Sequence, residues 1–410
     1  MLLFQGKTVV LFGSGCLAVE CLAWLRSRHI AVTAVVDNNP AKWQQQLDGI
    51  DILPPSVLTE WPQQQLLIVV ASSFYAEIKP QLQSLLLREY QHFLSFADAV
   101  RYVRAADASQ HRPEITTAPL AVFNIELTNQ CPMKCVMCAR TEGMTRRQGL
   151  MDLALYTDII DQLAAENPQF YRDNQLWLHH FGESLLHPQF DTFIQLAAER
   201  HLQPALSLNP LLLTPDVTER LLQAQPHLLY ISLDGHDNES FFRIRGVRNA
   251  YDKSHELLLA FLRRKVQLNS KVKVVLSMIN FVENTESIEK MQQYWQQIPG
   301  IDQFMAKGFV SWNGDIQSIN QYEQPQGLPY RDFVSCQIPW RTMTITWDGD
   351  VVPCCYDYDK KYVLGNVVSQ RLQEIWNGAP MQQLRREFNA NLVQNALCRN
   401  CTSLHQISEV

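Results

Sequence analysis

Apolar and polar positions along this chain alternate in two distinct rhythms. Thr8-Val-Val-Leu-Phe-Gly-Ser-Gly15 is an apolar run that ends on glycine, the pattern of a buried strand entering a tight turn. Leu17 to His29 then carries apolar residues at helical spacing, and Ile30-Ala-Val-Thr-Ala-Val-Val36 predicts a second strand that ends in Asp37. Gln65 to Ser73 predicts a third strand, and Phe74 to about Tyr90 the helix after it. Strand alternating with helix predicts a small parallel α/β sheet over residues 1–108. Residues 104–119, with Asp107, Ser109, His111, Pro113, Thr116, Thr117 and Pro119, read as a linker. Six apolar runs follow, at 121–128, 175–182, 203–209, 228–234, 271–280 and 302–312, with helical spacing between them, as in Tyr156 to Glu166 and Val217 to Ala224. Six such units predict a parallel α/β barrel over residues 118–315, two units short of a complete TIM barrel.

Composition narrows the class. The hydrophobic share is 46% and the charged share 19%, which describes a globular protein with ample core. A net charge of −6 and a pI near 6.0 argue against a nucleic-acid backbone as partner. The apolar N-terminus lacks the positive flank and cleavage site of a secretory signal, and no stretch has the length of a membrane span. A cytoplasmic protein with no membrane partner is expected, in which ten cysteines are not expected to pair as disulfides. Those cysteines fall in groups: Cys16 and Cys21, then Cys131, Cys135 and Cys138, then Cys336, Cys354, Cys355, Cys398 and Cys401.

In Asn129-Gln-Cys-Pro-Met-Lys-Cys-Val-Met-Cys138 three thiols share one loop after the first barrel strand. Three thiolates so spaced can hold three irons of a [4Fe–4S] cube and leave the fourth open to a small chelating molecule. A zinc knuckle is the competing reading, although structural zinc takes four ligands. Glu126-Leu-Thr-Asn-Gln-Cys131 leading into CxxxCxxC resembles the signature of the radical SAM enzymes. The resemblance implies that S-adenosylmethionine chelates the open iron and is cleaved by one electron to methionine and a 5′-deoxyadenosyl radical. That radical takes a hydrogen atom from an unactivated C–H bond. A flavodoxin or ferredoxin is implied as electron donor.

Barrel chemistry belongs at the C-terminal ends of strands. The second strand ends His179-His180-Phe-Gly182-Glu183-Ser184-Leu-Leu-His187-Pro188, which resembles the family's GGEPLLHP-like turn, with Phe181 and Ser184 in place of a Gly and a Pro. The resemblance implies that Gly182, Glu183 and Ser184 lie at the amino group of bound S-adenosylmethionine. Asn209, at the end of the third strand, stands where relatives carry Thr-Asn-Gly, although Pro210 departs from that pattern. Ser232 and Asp234, on one side of the fourth strand by its period of two, resemble residues that approach the ribose. Phe241-Phe-Arg-Ile-Arg245-Gly246 resembles a YxxIRG-like element, with Arg245 placed to clamp a carboxylate or a substrate oxygen. Lys307, Trp312 and Asn313, at the end of the sixth strand, are expected to face the substrate.

Residues 330–403 resemble the C-terminal SPASM domain, or its shorter twitch form, through Cys336, the Asp348-Gly349 turn, Cys354-Cys355 and the Cys398-Arg-Asn-Cys401 pair. The resemblance implies one auxiliary [4Fe–4S] cluster held by Cys336, Cys354, Cys398 and Cys401, with Cys355 spare. Four thiolates leave no open iron, so such a cluster transfers electrons and suits an oxidation. The expected substrate is a carbohydrate, a cyclitol or a nucleotide-linked sugar, as in a cyclitol-oxidising member of the family. A peptide is the alternative substrate, and a non-catalytic metal scaffold the alternative of another class. Gly13-Ser-Gly15-Cys-Leu-Ala18 with Asp37 matches GxGxxA and a strand-ending acid, so residues 1–108 resemble the small Rossmann-like domains fused to sugar-modifying enzymes.

Overall fold

The computed structural model describes residues 4, 6–72, 74–89, 91–100, 103, 112–322, 336–390, 392–401 and 404. The chain divides into two compact units. The first spans Met1–His111 with two later stretches, and the second holds Arg112–Gln324 and Gln337–Thr402.

The first unit is built on a sheet of order β3-β4-β2-β1-β5-β6. Its strands are β1 (Thr8–Phe12), β2 (Ala34–Val36), β3 (Gln46–Leu47), β4 (Ile50–Leu53), β5 (Leu66–Val70) and β6 (Phe93–Ser95), with helices α1 (Cys16–Arg26) and α2 (Tyr75–Ser84). Both faces are covered, so β1 is apolar at every buried position. Val9 and Leu11 join the cluster of Ala18, Leu22 and Leu25 from α1, while Val10 and Phe12 join that of Leu58, Ile78 and Leu82. The parallel α/β sheet expected for this segment is present. The second strand is shorter than its apolar run, because regular pairing with β1 begins only at Ala34 opposite Val10. Helix α2 stops at Ser84, and Leu86 follows in the left-handed region at φ 61°.

In the second unit six parallel strands stand in sequence order: β7 (Val122–Ile125), β8 (Gln175–Trp177), β9 (Gln203–Leu208), β10 (Leu228–Ser232), β11 (Lys273–Asn280) and β12 (Gln303–Gly308). Between them run α3 (Ala139–Glu142), α4 (Leu153–Glu166), α5 (Pro168–Asp173), α6 (Phe190–Glu199), α7 (Pro215–Ala224), α8 (Asn238–Arg245), α9 (Tyr251–Gln267) and α10 (Thr285–Gln296). This is the partial (β/α)6 barrel. Strand β12 ends at Gly308, short of the apolar run that predicted it.

The C-terminal segment extends the same sheet. Strand β13 (Met343–Ile345) pairs parallel with β7, Met343 opposite Val122, and β14 (Asp350–Val352) and β15 (Gly365–Asn366) continue antiparallel. The Asp348-Gly349 turn joins β13 to β14, with Gly349 at φ 85°. Helices α11 (Leu372–Trp376) and α12 (Ala379–Asn389) complete the unit. Residues 112–119 do not hang free as a linker. Trp340 Nε1 donates to Pro113 O (2.7 Å), Trp376 Nε1 to Ala118 O (3.2 Å), and buried Arg385 to Glu114 O (2.7 Å). Among the described residues no helix is long and apolar enough to cross a membrane.

Candidate active site

The loop that carries Cys131, Cys135 and Cys138 leaves β7 and is fastened at both ends. Thr128 Oγ1 donates to Gly149 O (2.7 Å) and Asn129 Nδ2 to Arg147 O (2.9 Å), which fixes its root. Farther on, Lys134 N donates to Arg245 O (3.1 Å) and Val136 N to Ile244 O (3.0 Å), so the loop lies along the end of α8. Gly246 makes that approach possible: it has φ 72°, and a Cβ there would fall 2.4 Å from Lys134 O. Burial pushes the Cys131 thiol up to about 11 and that of Cys138 up to about 12. Cys135 is buried, and Arg245 Nη1 donates to its Sγ at 3.6 Å. Among the described residues no three His, Cys, Asp or Glu converge on one ion position, whereas a cube spreads its three thiolates over three irons.

The turn after β8 packs on the root of this loop. A Cβ at Gly182 would lie 1.8 Å from Thr128 O, and Glu183 N donates to Gln130 O (2.8 Å). The missing side chain of Gly182 therefore serves contact between two backbones, rather than the approach of a ligand inferred from sequence. The Ser184 hydroxyl donates to Leu178 O inside its own turn, so the side chain is spent on the fold. Glu183 is buried, and its Oε2 accepts from Asn209 N (2.9 Å). Its Oε1 and the Asn209 Nδ2 are buried with no hydrogen-bond partner. Burial pushes the Glu183 carboxyl up to about 8. An unmet acceptor beside an unmet donor is the complement of an α-amino acid, which brings an ammonium and a carboxylate together. These residues fit the methionyl end of S-adenosylmethionine, and its ammonium would favour the charged form of Glu183.

The fourth-strand pair departs from expectation. Asp234 is fully buried, and its Oδ1 accepts from Ile279 N (2.7 Å) and Asn284 Nδ2 (2.7 Å). Its Oδ2 is ion-paired with Arg245. Asp234 therefore holds Arg245 beside Cys135 and has no oxygen turned out for a ribose. The carboxylate that Arg245 clamps is the protein's own. Ser232 Oγ shares a hydrogen bond with Ser277 Oγ (3.1 Å).

At the far ends of the strands, the Lys307 ammonium lies 5.0 Å from the centroid of the Tyr230 ring. No carboxylate lies within ion-pair distance of it among the described residues, and burial holds its pKa below the usual lysine range. His179 Nδ1 accepts from Ser207 N (3.2 Å), while burial pushes its pKa down to about 3. It is thus neutral with the proton on Nε2, a donor and not a base. His187 accepts from Gln189 N (3.2 Å) and donates to Met151 O (3.0 Å), a structural role.

Trp312, expected from sequence to face the substrate, is tied into the fold on several sides. Its indole N–H donates to Met137 O (2.9 Å), its carbonyl accepts from the Cys401 thiol (3.8 Å), and its ring lies 4.8 Å from that of Phe181 and 5.8 Å from that of Tyr356. Asn313 is buried and donates to Asp315 Oδ2 (2.8 Å), inside its own loop. Gly314, at φ 76°, brings this loop against the Cys398–Cys401 turn, where a Cβ would fall 2.1 Å from Asn400 O. Cys354 Sγ accepts from Tyr356 N (3.4 Å), and the neighbouring Cys355 thiol together with burial raises its pKa.

Sequence reading assigned no role to Glu126, yet it is the hub of the unit. It is fully buried and accepts two bonds from Arg146 (2.6 and 2.5 Å) and one from Phe181 N (3.3 Å), with Trp347 N at 3.4 Å. His180 Nδ1 lies 3.5 Å from it, and His180 Nε2 donates to Cys355 O (2.8 Å). One acid in the run 121–128, whose other polar members are Asn124 and Thr128, was the available signal.

A family model described as the Radical SAM superfamily matches residues 125–294, and one described as an iron–sulfur cluster-binding domain, SPASM, matches 336–402. A C2185-like N-terminal model matches residues 5–93. The S-adenosyl-L-methionine-dependent 2-deoxy-scyllo-inosamine dehydrogenase of Niallia circulans is 21% identical over 287 residues, covering 69% of this chain and 93% of that one. The mycofactocin maturase MftC of Mycobacterium tuberculosis is 26% identical over 297 residues, covering 65% and 72%. Among solved structures, Streptococcus suis SuiB bound to precursor peptide SuiA aligns with TM-score 0.51 at 16% identity, over 82% of this chain and 83% of that one, a likeness of fold.

Proposed function

Because the chain belongs to the radical SAM superfamily and carries a SPASM domain, using S-adenosylmethionine and [4Fe–4S] clusters, we propose that it oxidises a secondary alcohol of a carbohydrate, cyclitol or nucleotide-linked sugar to a carbonyl. Cys131, Cys135 and Cys138 would hold the cluster with the open iron. Glu183 Oε1 and Asn209 Nδ2 would receive the ammonium and carboxylate of S-adenosylmethionine. Cys336, Cys354, Cys398 and Cys401 would hold the auxiliary cluster. When bound, these groups supply a 5′-deoxyadenosyl radical that takes a hydrogen atom and an acceptor for one electron.

The remaining work is a proton transfer, and the observation that carries the reading is Lys307. Loss of a hydrogen atom, a proton and an electron from H–C–O–H leaves C=O, so a base must stand at the hydroxyl. His179 is a neutral donor, suited to orient a substrate oxygen through Nε2–H. Among the described residues Lys307 has no carboxylate within ion-pair distance, and burial lowers its pKa, which favours its neutral amine as the acceptor at Nζ. Arg245 and Asp234 do not touch substrate in this scheme; they hold Cys135. Kinship with the dehydrogenase supports a polyhydroxylated substrate. Kinship with the mycofactocin maturase favours a peptide as the second reading.

Incubating the anaerobic, reduced, cluster-loaded protein with S-adenosylmethionine and carbon-deuterated cyclitols, sugars or peptides tests the choice. Deuterium in the 5′-deoxyadenosine and a new carbonyl from a polyol are expected. Transfer from a peptide and from no polyol overturns the substrate class.

A further inference from the structure

In the first unit the chain winds from β1 outward through β2 to β4, then crosses back to lay β5 and β6 on the other side of β1. Loops that leave the C-terminal ends of β1 and β5 therefore diverge, which is where open parallel sheets bind ligands. A cavity of about 680 Å³ opens at that point, lined by the Gly13-Ser14-Gly15 turn, by Asp37 and Lys42 after β2, and by Phe74 and Glu77 after β5. We propose that this cavity binds a nucleoside diphosphate.

Each wall offers a part of that recognition. Gly13 stands at φ 107°, and a Cβ there would fall 2.7 Å from Ala71 O, so only glycine lets the turn close against the end of β5. Gly15 has open space where a side chain would go, and as N-cap of α1 it gives the first amides of that helix no side-chain acceptor. Those amides point to an anion. Lys42 supplies a second, separate positive group, which suits two phosphates better than one. Phe74 is 63% exposed at the cavity lip, an uncovered aromatic face on which a base can stack.

Asp37 is not free for a ribose, unlike the acid of a dinucleotide site. Its Oδ2 accepts from Ser14 N (3.0 Å), Ser14 Oγ (2.5 Å) and Lys42 Nζ (3.3 Å), and its Oδ1 from Asn39 N (2.8 Å). Burial opposes its charge, but Ser14, Asn39 and Lys42 outweigh it and hold the carboxyl below its usual value. It shapes the glycine turn, and Glu77, on the first turn of α2, remains to accept from sugar hydroxyls. Only β5 and β6 lie beyond the switch point among the described residues, too little sheet for a second nucleotide half. The cavity also has the volume of a small-molecule site, about 300–1,000 Å³.

Calorimetric titration of the full chain with uridine, adenosine, guanosine and cytidine diphosphates, and with pyrophosphate alone, tests this. At least one nucleotide is expected to bind one-to-one at micromolar concentration, and pyrophosphate more weakly. Gly15→Asp adds a favoured N-cap while placing a negative charge at the phosphates. It is expected to keep the melting temperature, to leave 5′-deoxyadenosine formation by the barrel intact, and to weaken nucleotide binding more than tenfold. Phe74→Ala is expected to weaken the nucleotide about tenfold and leave pyrophosphate unchanged. No binding of any nucleoside diphosphate at millimolar concentration, or binding indifferent to both substitutions, overturns the proposal.

Discussion

Lys307 and Arg245 are both cations partly or wholly removed from water, and their neighbours separate their roles. Arg245 is ion-paired with Asp234 and donates from Nη1 to Cys135 Sγ, so it is a fixture of the thiol loop. Lys307 faces an aromatic ring, with Asp234 acting on it only at longer range to favour its charge and Arg245 to oppose it. Lys307→Met is expected to lower turnover about a hundredfold or more, with S-adenosylmethionine cleavage retained. The wild-type rate is expected to rise with pH as Nζ loses its proton, and the variant's profile to be flat over the same range; steady-state rates against pH read both. At this scale the sequence showed which residues stand at strand ends, because apolar runs break there. It did not show which of their atoms are already taken. Asp234 and Ser184 match the family's positions, but Asp234 Oδ1 accepts from Ile279 N, 45 residues downstream, its Oδ2 pairs with Arg245, and the Ser184 hydroxyl donates to Leu178 O, six residues upstream.

Gly182 joins two elements, the turn after β8 and the root of the cysteine loop. With Thr128 O 1.8 Å from the position of a Cβ, Gly182→Ala must push the two backbones apart. A loss of about 3 kcal/mol in urea unfolding of the cluster-free protein is expected, whereas a glycine-to-alanine change at an unstrained position stabilises by about 0.4–1 kcal/mol. The parallel strands β1, β5 and β11 were legible because their apolar runs are buried on both faces. Strands β3 and β4 were not predicted, although Asp48-Gly49 between them is a hairpin signal, because the run around it is short and polar. Residues 104–119 read as a linker from their Pro, Thr and Ser content; 104–111 lie outside the described residues, and 112–119 are fastened to the fold. Their anchors, Trp340, Trp376 and Arg385, lie more than 200 residues on, beyond any local pattern.

Across the second unit, β13 against β7 and the Glu126–Arg146 pair tie the C-terminal segment to the barrel, since Arg146 also donates from Nε to Tyr358 O (2.7 Å). Pairing between strands more than 200 residues apart has no signature in either run, which is why the shared sheet was not foreseen. Burial raises the Glu126 carboxyl's pKa, but Arg146 and His180 more than reverse it and hold it far below the usual carboxylate range. The unfolded chain therefore binds that proton more readily, and the pair's contribution to stability is full above about pH 4 and fades as pH falls below it. Glu126→Gln is expected to cost about 3–5 kcal/mol at neutral pH, because it leaves Arg146 buried without its charge partner. The variant should lose less further stability than wild type between about pH 4 and 2, as urea unfolding across that range reads. The account as a whole rests on the three-thiol loop, and one assay addresses it: 5′-deoxyadenosine formed from S-adenosylmethionine by the anaerobically reconstituted, reduced chain. Formation by wild type and none by Cys135→Ala is the predicted result. No nucleoside from wild type with its clusters loaded, or equal amounts from both proteins, would contradict it.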